Sequence, residues 1–199
     1  MDCINSKRDL INYFQKGCKK EDQLSIGVEH ERFLFDSNSN QRVNFETISK
    51  VFNFLKKFGW ESIEEKNNSV ALKRKNQSIT LEPGNQIELS GAKLKSIHLV
   101  CDESYKYLHE LGEACKKLNL KMVSVSFDPS TKLQSVPKTP KQRYAIMTEE
   151  MPKMGKLSLY MMYQTCGTQI NLDYISEKDF IKKIQIKFFF GANIYSYFC

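Results

Sequence analysis

The sequence predicts an α+β fold built on a mainly antiparallel sheet with helices outside it. Three observations carry that reading. In Ile26 to Phe35, Ile26, Val28 and Leu34 alternate with Gly27, Glu29 and Glu31, as on a strand with one buried face. In Ile79 to Gly91, Ile79, Leu81, Ile87 and Leu89 supply an apolar side, while Gln86 and Glu88 project from the other. Between them Phe45, Ile48, Val51, Phe52, Leu55 and Phe58 recur at helical spacing, with Asn44 as N-cap and Gly59 as stop.

The elements follow in order. Leu10, Ile11 and Phe14 form a short helical stripe that Gly17 ends. After the first acidic strand and the Asn44 helix, Ile79 to Gly91 is expected as one strand. Pro83-Gly84 breaks its ladder between Glu82 and Glu88, as a bulge would. The longest helix is predicted over Leu94 to Leu118, with Ile97, Cys101, Tyr105, Leu108 and Cys115 on one stripe. On it Cys101 and Cys115 read as buried small hydrophobes, and His98 and His109 as surface groups. Met122 to Phe127 reads as a strand closed by Asp128-Pro129, and Ser130 to Pro140 as an ordered loop. Pro140 is expected in the first turn of a short helix bearing Arg143, Tyr144 and Met147. Thr168 to Tyr174 reads as a strand with Gln169, Asn171 and Asp173 on one face and Ile170 and Leu172 on the other. Ser176 with Asp179 resembles a capping box that opens a final helix.

With 199 residues and 41% hydrophobic content, the chain is expected to be a single domain over 1–199. Its formal charge of +7 favours anionic partners, yet the lysines are scattered rather than interleaved with aromatics on one face, so nucleic-acid binding is not expected. The six cysteines form no CxxC pair, which argues against structural zinc and a disulfide scaffold. Met1 to Arg8 is followed by an amphipathic segment rather than an apolar leader, so a reducing cytoplasm is the expected compartment. The apolar run Phe188 to Phe198 is too short and too polar to span a bilayer, and no membrane partner is expected.

The candidate site lies in the two acidic strands. Glu29, Glu31, Glu82 and Glu88 are costly choices for a structural sheet, and paired strands would bring the four carboxylates together. They repel unless a cation joins them, and hard divalent ions take such oxygens. Spacing alone favours two edge strands with solvated acidic faces, since alternating acids on exposed strands are common. Walker loops, GxGxxG and Ser-His-Asp patterns are missing, so no catalytic nucleophile or base is assigned.

These residues carry a resemblance. Gly27-Val-Glu-His-Glu31 and Ser78-Ile-Thr-Leu-Glu-Pro-Gly-Asn-Gln-Ile-Glu-Leu-Ser-Gly91 resemble the glutamate–cysteine ligases of the plant and proteobacterial branch. Pro140 to Met147, Tyr160-Met-Met162 and Thr165 to Asp173 follow in that branch's order and spacing. The likeness runs from about Ile26 to Ile186 and leaves 187–199 as a divergent tail. It implies a glutamine-synthetase-like cup and ATP-dependent joining of glutamate to cysteine through γ-glutamyl phosphate, the first step of glutathione synthesis. It also implies Mg²⁺ or Mn²⁺ held by Glu29, Glu31, Glu82 and Glu88. Under it Arg143, Tyr144, Met147, Thr165 and Thr168 are substrate-binding candidates, and Gln169 is a polar neighbour of metal or nucleotide. The branch's members are longer, so further nucleotide- and cysteine-binding residues are expected beyond position 199, in keeping with a truncated or frameshifted product. The alternative function is a non-catalytic fragment that binds metal-nucleotide or glutamate. Such a fragment would pair with a complementing chain or associate with itself.

Overall fold

The apolar strand faces found their cover in two helices. In the computed structural model, which describes residues 4–65 and 68–198 with side chains as far as Phe189, strand β1 spans Ile26–Asp36 and helix α2 spans Phe45–Leu55. Strands β2 (Glu61–Glu65), β3 (Asn68–Arg74), β4 (Gln77–Leu81) and β5 (Ile87–Ser90) follow, then α3 (Ile97–Leu118) and β6 (Leu120–Val123). Helices α4 (Gln142–Met154) and α5 (Ser158–Gln164) lead to β7 (Thr168–Leu172). The sheet order is β2-β3-β4-β5-β1-β6, with β7 also paired to β1, and neighbouring strands from β2 through β6 along that order run antiparallel. The expected α+β class with a mainly antiparallel sheet is what forms.

Register explains the core. Leu72 faces Ile79, Ile79 faces Leu89, and Leu89 faces His30, so one row of side chains crosses four strands on a single side. Helix α2 answers with Ile48, Val51, Phe52 and Leu55, the i, i+3, i+4, i+7 stripe its sequence spells, and α3 adds Tyr107, Leu111, Ala114 and Cys115. Burying each large aliphatic contributes about 1.5–3 kcal/mol. Asn44 Oδ1 accepts from Thr47 N–H at 2.9 Å, and Gly59 closes the following turn at φ 84°, a conformation that favours glycine.

Several expectations are corrected. Ile79 to Gly91 is a hairpin, β4 and β5, rather than one bulged strand: Leu81 faces Ile87 across the turn. The helix expected from Leu94 starts at Ile97, capped by Ser96, and Ile97, Cys101 and Tyr105 are exposed. The buried stripe passes instead through Val100, Tyr107, Leu111, Ala114 and Cys115, because the strong apolar pattern lies in the helix's second half. Glu110 shares that stripe at 2% exposure, accepting from Trp60 Nε1 at 2.8 Å and Arg74 Nη1 at 2.7 Å. The expected strand at Met122 to Phe127 ends at Val123, leaving Phe127 in an isolated bridge to Thr165. Pro140 precedes rather than opens α4, whose N-cap is Lys141.

Residues 4–26 and 171–198 belong to one compact unit and residues 27–170 to a second. Within the first, α1 (Lys7–Lys16) is capped by Ser6, and Phe14 packs on Phe180 with ring centres 5.7 Å apart. Asp173 is used locally, accepting from Ser25 Oγ at 2.6 Å. Helix α6 spans Glu177–Phe198. Asp179 N–H donates to Ser176 Oγ and the Asp179 carboxylate takes Ile175 N–H, close to the expected box. Among the described residues no helix is long and apolar enough to cross a membrane.

Candidate functional site

The acidic residues occupy the sheet face opposite the helices. Glu31 on β1 stands directly across from Glu88 on β5, and Glu88 from Thr80 on β4. One step along, Glu29 faces Ser90 and Ser90 faces Ser78. Alternation therefore brings polar groups into two rows where its apolar counterpart built the core. Glu88 is only 8% exposed and its Oε1 accepts from Ser90 Oγ at 2.7 Å and Thr80 Oγ1 at 3.0 Å. Glu31 Oε2 accepts from Gly167 N–H at 2.7 Å, while the Gly167 carbonyl accepts Glu31 N–H at 3.0 Å.

Glu82 arrives from the β4–β5 turn. Glu82 N–H donates to Gln86 O at 2.9 Å and Asn85 N–H to Glu82 O at 3.0 Å, with Asn85 in the left-handed region at φ 59°. A side chain at Gly84 would meet Tyr163 O at 2.7 Å, so only glycine fits between this turn and α5. Thr139 Oγ1 donates to Glu82 O at 2.5 Å, and Arg42 Nη2 donates to Gly84 O. The turn then presents the Glu82 carboxylate to Tyr144, whose hydroxyl lies 3.2 Å away and 2.7 Å from Leu81 O. Arg143 Nη2 donates to that hydroxyl at 2.7 Å and stands 3.9 Å from Glu82 Oε1.

Burial pushes the Glu31 carboxyl up to about 7; the Gly167 hydrogen bond resists this, and the charges of Glu82, Glu88 and Glu29 add to it. Glu82 is raised as well, by burial and by Glu88, against Tyr144, Lys141 and Arg143. Lys141, which donates to Leu81 O at 2.8 Å, is lowered by burial and by Arg143. Four carboxylates sharing one face and one electrostatic field are an oxygen donor set suited to a hard divalent cation. Their expected convergence is corrected in degree. Among the described residues no three histidine, cysteine or carboxylate side chains stand close enough to hold a metal ion.

The remaining candidates divide. Tyr144 and Arg143 meet Glu82; Tyr144 is buried, whereas the Arg143 side chain is 66% exposed. Met147 packs against the small cluster of Val136, Met162 and Tyr163. Thr165 Oγ1 donates to Met161 O at 2.6 Å, closing α5. Thr168 and Gln169 lie on β7, exposed throughout, just past the Gly167 that holds Glu31. Sequence reasoning assigned no part in the site to three residues that shape it. Lys141 follows Pro140 in a segment whose chemistry was read only from Arg143 onward. Arg42 and Asp128 form a buried ion pair at 3.1 Å across 86 positions, a separation no local pattern reveals.

With this geometry in hand, comparison with known proteins is informative. The model of glutamate-cysteine ligase family 2 matches residues 25–190. The chain is similar to the chloroplastic glutamate–cysteine ligase of Medicago truncatula, 40% identical over 181 residues, covering 90% of this chain and 36% of that protein. It resembles ligase A of Oryza sativa subsp. japonica, also 40% identical, over 90% of this chain and 37% of the relative. The Arabidopsis thaliana enzyme is 39% identical over 90% of this chain and 35% of its own. The chain thus spans about a third of the length of the curated relatives it matches. The names of these relatives read chloroplastic, and that finding overturns the cytoplasmic compartment expected from the cysteine pattern and the amphipathic start of the chain.

Proposed function

The chain belongs to glutamate–cysteine ligase family 2, and on that premise we propose that it carries the cation-holding face of a site that joins the γ-carboxyl of glutamate to the amine of cysteine at the expense of ATP. The observation that supports this best is Glu31 set directly opposite Glu88, its carboxyl pushed up to about 7 by burial, with the charges of Glu82, Glu88 and Glu29 adding to the shift. In this proposal Glu29, Glu31, Glu82 and Glu88 hold Mg²⁺ or Mn²⁺. Held there, such an ion would supply positive charge against the negative charge that develops in phosphoryl transfer.

The chain's own residues then have separate tasks. Ser90 and Thr80 aim one Glu88 oxygen, and Gly167 N–H aims one oxygen of Glu31, leaving the others for a cation. Tyr144 and Arg143 bracket Glu82, and the exposed Arg143 guanidinium retains donors for the carboxylate of glutamate. Met147, Thr165 and Thr168 are proposed around the same substrate, and Gln169 beside the nucleotide. A glutamine-synthetase-like cup is the proposed surround. Ile170 and Leu172, exposed on β7, are proposed to be covered by further ligase chain or a complementing copy.

In an active ligase carrying these residues, Arg143→Lys is expected to raise the glutamate KM about tenfold, the worth of one bidentate contact, with a smaller change in kcat. Unaltered glutamate saturation would place Arg143 elsewhere. The reading as a whole is tested by incubating the purified protein with ATP, Mg²⁺, glutamate and cysteine and following phosphate release and dipeptide together. Coupled formation of both supports a whole site on this chain. Cation binding that depends on the four glutamates, without dipeptide, assigns it the cation-holding part alone. Neither result would leave the proposal without support.

A further inference from the structure

We propose that Gln86 is a positioning residue for the cation site, fixing the carrier of Glu82 to the carrier of Glu31 with one buried carboxamide; the inference rests on the proposed cation-holding role. Gln86 is 1% exposed, and each of its polar atoms is spent on backbone. Oε1 accepts from Gly84 N–H at 2.7 Å, inside the turn that delivers Glu82. Nε2 donates to Met162 O at 3.1 Å and Thr165 O at 2.9 Å, the last turn of α5 and the residue that ends it. Two residues beyond Thr165, Gly167 N–H holds Glu31 Oε2. The path from one carboxylate to the other therefore runs Glu82, turn, Gln86, Thr165, Gly167, Glu31, and it crosses 79 positions of sequence at the single Gln86 side chain.

The arrangement is over-determined on its other flank. Arg42 donates to Gly84 O, Thr139 to Glu82 O, and Asn85 Nδ2 to Val43 O at 3.2 Å, so the turn keeps its own shape without Gln86. Arg42 also reaches Tyr163 O in α5, at 3.5 Å, so what Gln86 adds is the short tie from that turn to Thr165, two residues before the Gly167 that aims Glu31. A glutamine suits the task because one planar group offers an acceptor and two donors at fixed separation. Outer partners of this kind typically alter metal affinity about 10–100-fold when removed.

The test measures Mn²⁺ binding by electron paramagnetic resonance at 10 °C for the wild type, Gln86→Met, Glu31→Gln and Val51→Ala, alongside thermal unfolding. Val51 lies in the α2 core away from the acid face, and its truncation supplies a stability loss without a loss of positioning. Gln86→Met is expected to weaken Mn²⁺ about tenfold or more and to change the spectrum of the bound ion. Val51→Ala is expected to lower Tm while binding Mn²⁺ as the wild type does. If Gln86→Met binds like Val51→Ala, the proposal fails while the cation site stands. If the wild type itself shows no Glu31-dependent binding, the underlying reading fails instead. Should Gln86→Met not fold, Mg²⁺ titration of the wild type is followed through the Gln86 side-chain amide and the Gly167 backbone amide in nitrogen-15 spectra. Shifts with one shared midpoint support the tie, and a Gln86 amide unmoved while Gly167 shifts overturns it.

Discussion

Arg42→Met is expected to lower the free energy of unfolding by about 3–5 kcal/mol, the cost of breaking a buried ion pair from one side. The Arg42 and Asp128 side chains are 2% and 1% exposed, and the guanidinium also lies 4.2 Å from the centre of the Phe33 ring. Removing it strands the Asp128 charge and leaves Gly84 O without its donor. Against a total stability of roughly 5–15 kcal/mol, the loss is large. Urea unfolding measures it, and Arg42→Met/Asp128→Leu should be more stable than Arg42→Met, because an apolar pair needs no solvation. Burial works to raise Asp128, but hydrogen bonds from Ser130 and Thr131 and the Arg42 contact overcome it and hold the carboxyl at about 2. A depressed carboxyl contributes stability that is present above its ordinary value of 3.8 and lost as pH falls through about 2. That acid-sensitive contribution should shrink in Arg42→Met. A single variant within about 0.5 kcal/mol of wild type, the range of an ordinary surface change, would show that the pair anchors nothing.

Glu31→Gln is expected to move stability and cation binding in opposite directions. Burial pushes its carboxyl up to about 7 from a usual 4.5. A raised carboxyl favours the fold fully below 4.5 and loses that advantage as pH rises through about 7. Above that pH the ionised Glu31 strains the sheet, so the neutral amide should be the more stable by on the order of 1 kcal/mol after discounting for solvent. That is about 2–4 °C in Tm for a chain of this size. The advantage should vanish near pH 4.5, where both proteins are uncharged at this position. The Gln side chain keeps an acceptor for Gly167 N–H, so the change reports charge rather than a lost hydrogen bond. Added Mn²⁺ should reverse the order, stabilising the wild type and leaving the variant nearly unmoved. Equal melting in chelator at pH 8 would mean that Glu31 carries no such strain.

What was legible in the sequence was local. Helix α2 follows from its apolar spacing and from Asn44 and Gly59 at its ends, and β1 from alternation over many residues. The acid pattern was legible because carboxylates are expensive on a sheet, so Glu29, Glu31 and Glu88 stood out before any pairing was known. Strands β2 and β3 did not stand out. Glu61 to Glu65 holds a single aliphatic residue, Ile63, and Val70-Ala-Leu72 is too short to declare a period. The single strand expected over Ile79 to Gly91 failed because a Pro-Gly break suits a turn as well as a bulge. The choice was made by tertiary contacts, with Thr139, Arg42 and Gln86 all gripping that turn. Contacts such as Gln86 to Thr165 or Arg42 to Asp128 join residues about eighty positions apart and leave no periodic trace.

The most direct measurement is a Mn²⁺ titration of the wild type, Glu31→Gln and Glu88→Gln at pH 8, read by electron paramagnetic resonance with Mg²⁺ as competitor. The proposed function predicts saturable wild-type binding that Mg²⁺ displaces and Na⁺ does not, weakened by either substitution by at least the roughly 10–100-fold that losing an outer partner of a ligand costs. Identical isotherms for all three proteins, or binding that sodium abolishes equally, would contradict it and return the acid face to an ordinary solvated sheet.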